Sequence, residues 1–338
     1  MIDLKQPELR FAIETVRQAA LLVKHVQAEM VTPALTKNDR SPVTVADYAA
    51  QAFVASRLAQ EFPDDALVGE EDAAALRTPE GEPTLTMVSK YVGDFVAGAA
   101  PEQVCTWIDR GAADPQVGGL SRYWTLDPID GTKGFLRGDQ YAVALALLVE
   151  GRVQIGILGC PNLDPDGKPN MGAGGSLSIA VRGQGAWSCE LVQMGDYQHL
   201  QVSGRADPAQ ARLLRSFESG HTNVDQVGDF IQALGIQAEA VRMDSQAKYA
   251  VMAAGRGELL LRLLSADKPN YKEKIWDQAA GSLVVEEAGG RISDLHGRAL
   301  DFTAGRTLAR NRGVLASNGV LHAPALRALE QISALNPR

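Results

Sequence analysis

The chain has little cysteine, little histidine, no long apolar stretch and no excess of positive charge. Its three cysteines, Cys105, Cys160 and Cys189, lie far apart and form no Cys-x-x-Cys pair. That excludes a disulfide framework and points to thiols kept reduced, as in a cytoplasm. The five histidines form no cluster that would compete for zinc-like ligation. No apolar run reaches about 18 residues, and the N-terminal Met-Ile-Asp-Leu-Lys-Gln-Pro-Glu lacks a basic-then-apolar signal pattern. No membrane span is therefore expected. A formal net charge of −8 argues against nucleic acid or an anionic membrane as partner. A phosphorylated ligand would have to be attracted locally, by bound cations and a few placed basic residues. No Gly-x-x-x-x-Gly-Lys-Ser/Thr is present, which removes the P-loop NTPases.

What is present is a soluble globular composition, 45% hydrophobic and 22% charged over 338 residues, enough for one large domain or two ordinary ones. Apolar positions at helical spacing predict a long amphipathic helix over about 7–31. A second helix is expected over about 44–61, carrying Asp47 near its start. A short strand, Ala66-Leu67-Val68, ends at Gly69-Glu70-Glu71-Asp72. Residues 73–122 read as an elaboration with helices near 85–98 and 101–110. Tyr141–Val149 and Arg152–Leu158 predict an antiparallel hairpin turned by Glu150-Gly151, and the sheet continues at Leu177–Val181 and Ala186–Trp187. The Pro-, Gly- and Asn-rich stretch 161–175 reads as a surface loop. Beyond about 200, strands and helices alternate. Strands are expected at 213–217, 238–243, 258–263, 291–293 and 314–316, and helices at 225–234, 245–254, 276–288 and 323–335. The pattern divides the chain into an α+β lobe, 1–200, and an α/β lobe, 201–338, with the seam as the natural place for a small ligand.

One segment concentrates the chemistry: Trp124-Thr125-Leu126-Asp127-Pro128-Ile129-Asp130-Gly131-Thr132. An apolar run reads as a buried strand, and Asp-Pro and Asp-Gly are expected to break it at its end. Two carboxylates then sit on one rigid turn, the oxygen-rich setting that hard cations such as Mg²⁺ require. If a helix starts at Gly131-Thr132, its N–H groups can face an anion. Taken alone, these dipeptides are ordinary turn formers. They have company, however. Asp47, Glu70, Glu71 and Asp277 each abut an apolar or small-residue run, which is how a carboxylate is held inward. Two carboxylates 4 Å apart repel by about 4 kcal/mol at an effective dielectric near 20. A cluster of such acids therefore calls for cations, and bound cations can clamp a phosphate and activate water.

These motifs carry a resemblance. Asp127-Pro-Ile-Asp130-Gly-Thr132, with Gly69-Glu70-Glu71 before it and Trp276-Asp277-x-Ala-Ala-Gly281 and Glu287-Ala-Gly-Gly290 after it, resembles the lithium-sensitive, Mg²⁺-dependent phosphatases of the inositol monophosphatase superfamily. Ser41-Pro-Val-Thr-Val-Ala-Asp47-Tyr48, Phe135-Leu-Arg-Gly-Asp-Gln-Tyr141, Gly159-Cys-Pro-Asn162 and Asp244-Ser-Gln-Ala-Lys248-Tyr249 are closest to its 3′(2′),5′-bisphosphate nucleotidase branch. The resemblance runs over most of the chain, in order. It implies a layered α-β-α-β-α sandwich of the inositol monophosphatase type with two lobes. It also implies two or three Mg²⁺ ions held by Glu70, Asp127, Asp130, Asp277 and the Ile129 carbonyl, with inhibition by Li⁺. Asp47 and Thr132 would polarise the attacking water, and the Gly131 and Thr132 N–H groups would bind the scissile phosphate. His221, Ser245, Lys248 and Arg262 would face the nucleotide and its second phosphate. Gln278 stands where the branch usually has His, which would shift a pH profile or substrate preference without abolishing activity. Trp124 and Trp276 read as core packing beside these residues.

The implied reaction removes the 3′-phosphate of adenosine 3′,5′-bisphosphate. The related 5′-phosphosulfate and inositol 1,4-bisphosphate stay open as substrates. A non-catalytic phosphate-ligand sensor would be expected to lose one of these acids, and none is missing. An aspartyl-phosphate mechanism wants Asp-x-Asp, whereas the spacing here is Asp-x-x-Asp. The partner is thus a small phosphorylated molecule. The oligomeric state stays open, a monomer being sufficient to carry all of these residues.

Overall fold

A computed structural model describes residues 2–31, 41–117, 119–172, 174–217, 224–264 and 268–332. Seven strands form the first sheet in sequence order: β1 (Ala66–Gly69), β2 (Arg122–Asp130), β3 (Ala142–Val149), β4 (Arg152–Cys160), β5 (Ser176–Val181), β6 (Gly185–Glu190) and β7 (Gln198–Leu200). Only the β1–β2 pair is parallel; each later pair is antiparallel. The β3–β4 turn is made by Glu150 and Gly151, both at positive φ (50° and 72°), the combination that tight hairpins require. β3 is a run of apolar residues without alternation, because both faces of the sheet are covered. On one face lie α1 (Pro7–Met30) and α2 (Ser41–Glu61), where Trp124 of β2 is fully buried with its ring centroid 5.1 Å from that of Phe11. The elaboration at 73–122 supplies α3 (Glu82–Gly93) and α4 (Pro101–Asp109), which bury Val88, Val92, Val104 and Ile108 in the same core as α2.

The second sheet contains β8 (Leu213–Arg215), β9 (Val241–Arg242), β10 (Leu259–Arg262), β11 (Arg291–Ser293) and β12 (Val314–Ser317), in the order β11-β12-β10-β8-β9. Between the sheets run α7 (Ala247–Ala253) and α8 (Ala279–Glu287). Small residues allow this. A Cβ on Gly281 would lie 2.1 Å from the Tyr249 ring, and one on Gly156 of β4 would lie 2.8 Å from the Ala280 carbonyl. Leu283, Val284 and Val285 are wholly buried there, each worth roughly 1.5–3 kcal/mol of apolar burial. On the outer face, α6 (Val224–Leu234) and α9 (His322–Gln331) close a core of Leu213, Phe230, Leu261, Leu315 and Leu329. The layers therefore read α-β-α-β-α. Among the described residues no helix is long and apolar enough to cross a membrane.

Four local expectations need correction. β2 runs on through Asp127-Pro128 to Asp130 instead of breaking at the first Asp-Pro. The middle helix begins at Ala279 rather than Trp276, and the strand expected at 238–243 shrinks to Val241–Arg242. The loop from Pro161 begins buried: Asn162 donates to the Asp139 carbonyl at 2.6 Å, and Leu163 has no exposed surface.

Candidate active site

The site grows from the end of β2. The β1 ladder stops at the Gly69–Leu126 pair, so Pro128 has no partner on that side to deprive of a hydrogen bond. Pairing with β3 shifts register between Asp127 and Asp130, a bulge that re-aims the side chains. Gly131 follows at φ +95°, a conformation that suits glycine, and Thr132 opens the short helix α5 (Thr132–Arg137). A Cβ at Gly131 would meet Ser245 Cβ at 2.7 Å, so this turn is wedged against the element carrying Ser245 and Lys248.

A cavity of about 300 Å³ opens here. One wall is Glu70, Asp127, Ile129, Asp130, Gly131 and Thr132. The second half of the chain adds Ser245, Lys248, Arg262 and Asp277, together with Ser216, Asp244, Tyr271 and Lys274. Acids from four distant stretches of chain thus share one cavity. Asp47 is buried on α2 outside the cavity lining, close enough to Glu70 and Glu71 to be perturbed by them. His221 lies outside the described residues.

Sequence reasoning passed over Ser216, Asp244, Tyr271, Lys274 and Lys133, all of which line the cavity. The available signal was slight: Asp244 directly precedes Ser245, and the charged run Lys272-Glu273-Lys274 directly precedes Ile275-Trp276.

The acids are under electrostatic load. Burial raises Asp127 well above the usual carboxylate range, and Glu70, Asp130, Asp277 and Asp47 add to it. Asp47 is raised well above that range too, by burial and then by Glu71 and Glu70. Asp277 is raised by burial against the pull of Arg262. Glu70 reaches solvent at the rim, yet partial loss of hydration, with Glu71 and Asp130, lifts it to about 7 while Lys274 opposes. Asp130 is raised less, because Lys248, Arg262 and the Gln246 N–H (2.7 Å) counter its burial. Burial and the nearby Arg262 bring Lys248 down to about 8. Its Nζ donates to Ser216 Oγ at 2.8 Å. Arg262 stays charged despite burial, held by Glu273 (2.8 Å) and Asp277 (3.9 Å).

A supporting layer fixes these groups from behind. Gln51, one turn after Asp47 on α2, accepts from the Glu71 N–H (3.0 Å) and donates to the carbonyls of Glu71 (2.6 Å) and Ile108 (2.8 Å). It thereby ties the Glu70-Glu71 corner to the helix of Asp47. Arg306 donates to the carbonyls of Gly69, Gly111 (2.9 Å) and Ala113 (2.8 Å) and lies 4.9 Å from the Trp276 ring centroid. Its guanidinium braces the residues preceding Glu70 and Asp277 alike. Gln278 accepts from the Tyr249 hydroxyl (2.5 Å) and donates to Glu273 (3.0 Å), the acid that holds Arg262.

The donor set is all oxygen, as Mg²⁺ prefers. Asp127 Oδ1 is buried with no hydrogen-bond partner, an orphan that a cation would satisfy. Among the described residues no three His, Cys, Asp or Glu side chains are gathered tightly enough to enclose an ion as they stand. The acids are spread around the cavity wall, and they fit Mg²⁺ by donor chemistry and unrelieved charge.

Layers and cavity together define a mixed α/β sandwich with an acid-lined, oxygen-donor pocket between its two sheets, the build of a phosphate-handling protein. The model of the "Inositol monophosphatase family" matches residues 4–334. The chain belongs to that family. It is 40% identical over 340 residues to a 3′(2′),5′-bisphosphate nucleotidase of Oryza sativa, covering 96% of this chain and 93% of that protein. It is 39% identical over 342 residues to a 3′(2′),5′-bisphosphate nucleotidase of Emericella nidulans, covering 94% and 96%. Among solved structures, the Thermotoga maritima IMPase superposes with a TM-score of 0.62 over 96% of this chain and 98% of its own, at 21% identity.

Proposed function

We propose that this chain is a Mg²⁺-dependent phosphomonoesterase that removes the 3′-phosphate of adenosine 3′,5′-bisphosphate, giving AMP and phosphate, and that it also accepts the 5′-phosphosulfate relative. The observation that carries this reading is the meeting of Glu70, Asp127, Asp130 and Asp277 with Lys248 and Arg262 in one cavity. It is supported by the near-full-length likeness to 3′(2′),5′-bisphosphate nucleotidases.

In this reading Glu70, Asp127, Asp130, Asp277 and the Ile129 carbonyl hold the Mg²⁺ ions. Bound there, the cations supply charge neutralisation and Lewis acidity. Thr132 accepts a hydrogen bond from the attacking water and passes its own hydroxyl proton toward the Asp47 carboxylate. The Gly131 and Thr132 N–H groups hold the scissile phosphate. The water oxygen bonds to phosphorus as the P–O bond to the 3′-oxygen breaks, and that oxygen takes up a proton from a solvent water. Ser245, Lys248, Arg262 and His221 bind the rest of the nucleotide. Two cationic side chains in the same cavity as the acids suit a substrate with a second phosphate. Li⁺ competes for a cation position. Residues 1–200 and 201–338 serve as two lobes, the first contributing most of the acids and the second the nucleotide contacts. Three buried free thiols suit a reducing, cytoplasmic setting.

The test is phosphate release by purified protein with Mg²⁺ from adenosine 3′,5′-bisphosphate, 5′-AMP and inositol 1,4-bisphosphate. Release from the bisphosphorylated nucleotide, stopped by EDTA and by submillimolar Li⁺, is expected. Preference for inositol 1,4-bisphosphate would make the chain an inositol polyphosphate 1-phosphatase. Binding without turnover of any substrate would make it a sensor.

A further inference from the structure

Among the described residues, Phe217 is one of the few large apolar side chains left in solvent, with 48% of its surface exposed. Its position is not random. It directly follows Ser216, which lines the cavity and accepts from Lys248 Nζ. Its backbone N–H donates at 3.2 Å to Asp244, another residue of the cavity wall. One face of its ring carries the Arg137 guanidinium, 5.6 Å from the centroid. Arg137 is itself anchored to Asp244 and, at 2.9 Å, to Asp139. The ring is thus backed by a tethered cation and held beside the wall that carries Ser245 and Lys248.

An exposed aromatic ring gains nothing from burial until something covers it. A cation against the ring, with about half of the side chain's surface still open to solvent, suits a flat, polarisable ligand. Purine bases stack on such rings whatever their hydrogen-bonding edge, and an arginine in the stack adds cation–π attraction. A cyclohexane polyol has no flat π-face and gains little there. The ring therefore distinguishes a nucleotide from an inositol phosphate, two classes that share the same phosphate chemistry.

We propose that Phe217, backed by Arg137, is the platform on which the purine base of the substrate stacks, and that it makes this pocket select nucleotides. The proposal rests on the nucleotidase reading given above. It is tested with the wild-type chain, Phe217→Ala and Phe217→Trp, assayed with Mg²⁺ on adenosine 3′,5′-bisphosphate and on ribose 3,5-bisphosphate, which lacks the base. Loss of the ring should raise KM for the nucleotide about tenfold or more with kcat little changed, the scale of base–aromatic stacking, and Trp should restore it. KM for the base-free substrate should be the same in all three proteins. An unchanged nucleotide KM in Phe217→Ala overturns the platform, as does an equal rise for both substrates. Failure of the wild-type chain to hydrolyse the nucleotide at all would instead overturn the reading on which the platform rests.

Discussion

Helix α5 begins and ends on a glycine in the left-handed region, and the two offer a matched pair. Gly131 sits at φ +95° and Gly138 at φ +72°, so alanine at either costs backbone strain of about 1–2 kcal/mol. They differ in surroundings. A Cβ on Gly138 meets nothing within 4 Å, whereas one on Gly131 would lie 2.7 Å from Ser245 Cβ and 3.2 Å from the Gln140 carbonyl. Overpacking of that kind adds about 1–3 kcal/mol, for a total near 2–5 kcal/mol. With 338 residues and about 2.1 cal/mol/K of unfolding entropy per residue, each kcal/mol moves Tm by about 1.4 °C. Gly138→Ala should therefore melt about 1.5–3 °C low, and Gly131→Ala about 3–7 °C low. The activities should separate further. Gly131→Ala pushes Thr132 and Ser245 apart, and a misplacement near 1 Å can cost about a hundredfold in rate. Gly138→Ala should keep its phosphate-release rate. Thermal melting and initial rates on adenosine 3′,5′-bisphosphate measure both. Equal loss of activity in the two variants, or full activity in Gly131→Ala, would refute the claim that this turn aligns the site against Ser245.

Three more expectations follow from the same geometry. Asp130→Asn keeps an acceptor for the Gln246 N–H but removes a charge from the acid cluster. Turnover should fall more than about a thousandfold while the metal-free Tm stays level or rises, and substantial residual activity in the rate assay would count against a metal-holding role. Gln51→Leu strands the Glu71 N–H and the carbonyls of Glu71 and Ile108. It should cost about 3 kcal/mol and raise the Mg²⁺ concentration for half-maximal rate, whereas Ser56→Ala on the same helix, whose hydroxyl donates to the Phe53 carbonyl three residues earlier, should leave Mg²⁺ dependence unchanged. His322, wholly buried between the hydroxyls of Ser293 and Ser317 (2.9 Å each), is held down to about 4 by burial and by Arg291. Its folded value lies below its unfolded one, so its contribution is full above about pH 6.5 and is lost as pH falls toward 4, about 3 kcal/mol in all. His322→Gln should flatten that acid limb in melts between pH 7 and 4.5, and an unchanged slope would sink the assignment.

Much of this architecture was legible in the sequence because local signals agreed with the fold. The apolar run Tyr141–Val149 read as a strand, and Ala142–Val149 is one, while the small residues Ala279, Ala280 and Gly281 announced a tightly packed helix. Asp127, Asp130 and Asp277 were visible because each abuts a run that must be buried. What was misread depended on distant partners. Asp-Pro looks like a strand breaker, but β1 ends beside Leu126 and leaves Pro128 without a ladder to disrupt. Tyr271-Lys-Glu-Lys274 has no local pattern that marks it as part of a site, yet Glu273 is buried, its carboxylate paired with Arg262 at the end of β10. Gln278 stands out in the sequence only as an unusual residue. Its link from Tyr249 to Glu273 arises where α7 and α8 cross, which no local pattern encodes.

In the proposed mechanism the acids of β2, the Gly69–Glu71 corner and the Trp276–Asp277 turn hold divalent cations together. Crystals of the protein grown with Mn²⁺ in place of Mg²⁺, together with AMP and phosphate, would test it through the anomalous signal of the metal. The account requires manganese peaks within about 2.0–2.3 Å of oxygens of Glu70, Asp127, Ile129, Asp130 and Asp277. A saturated crystal with manganese bound elsewhere, or with none in this cavity, would contradict it.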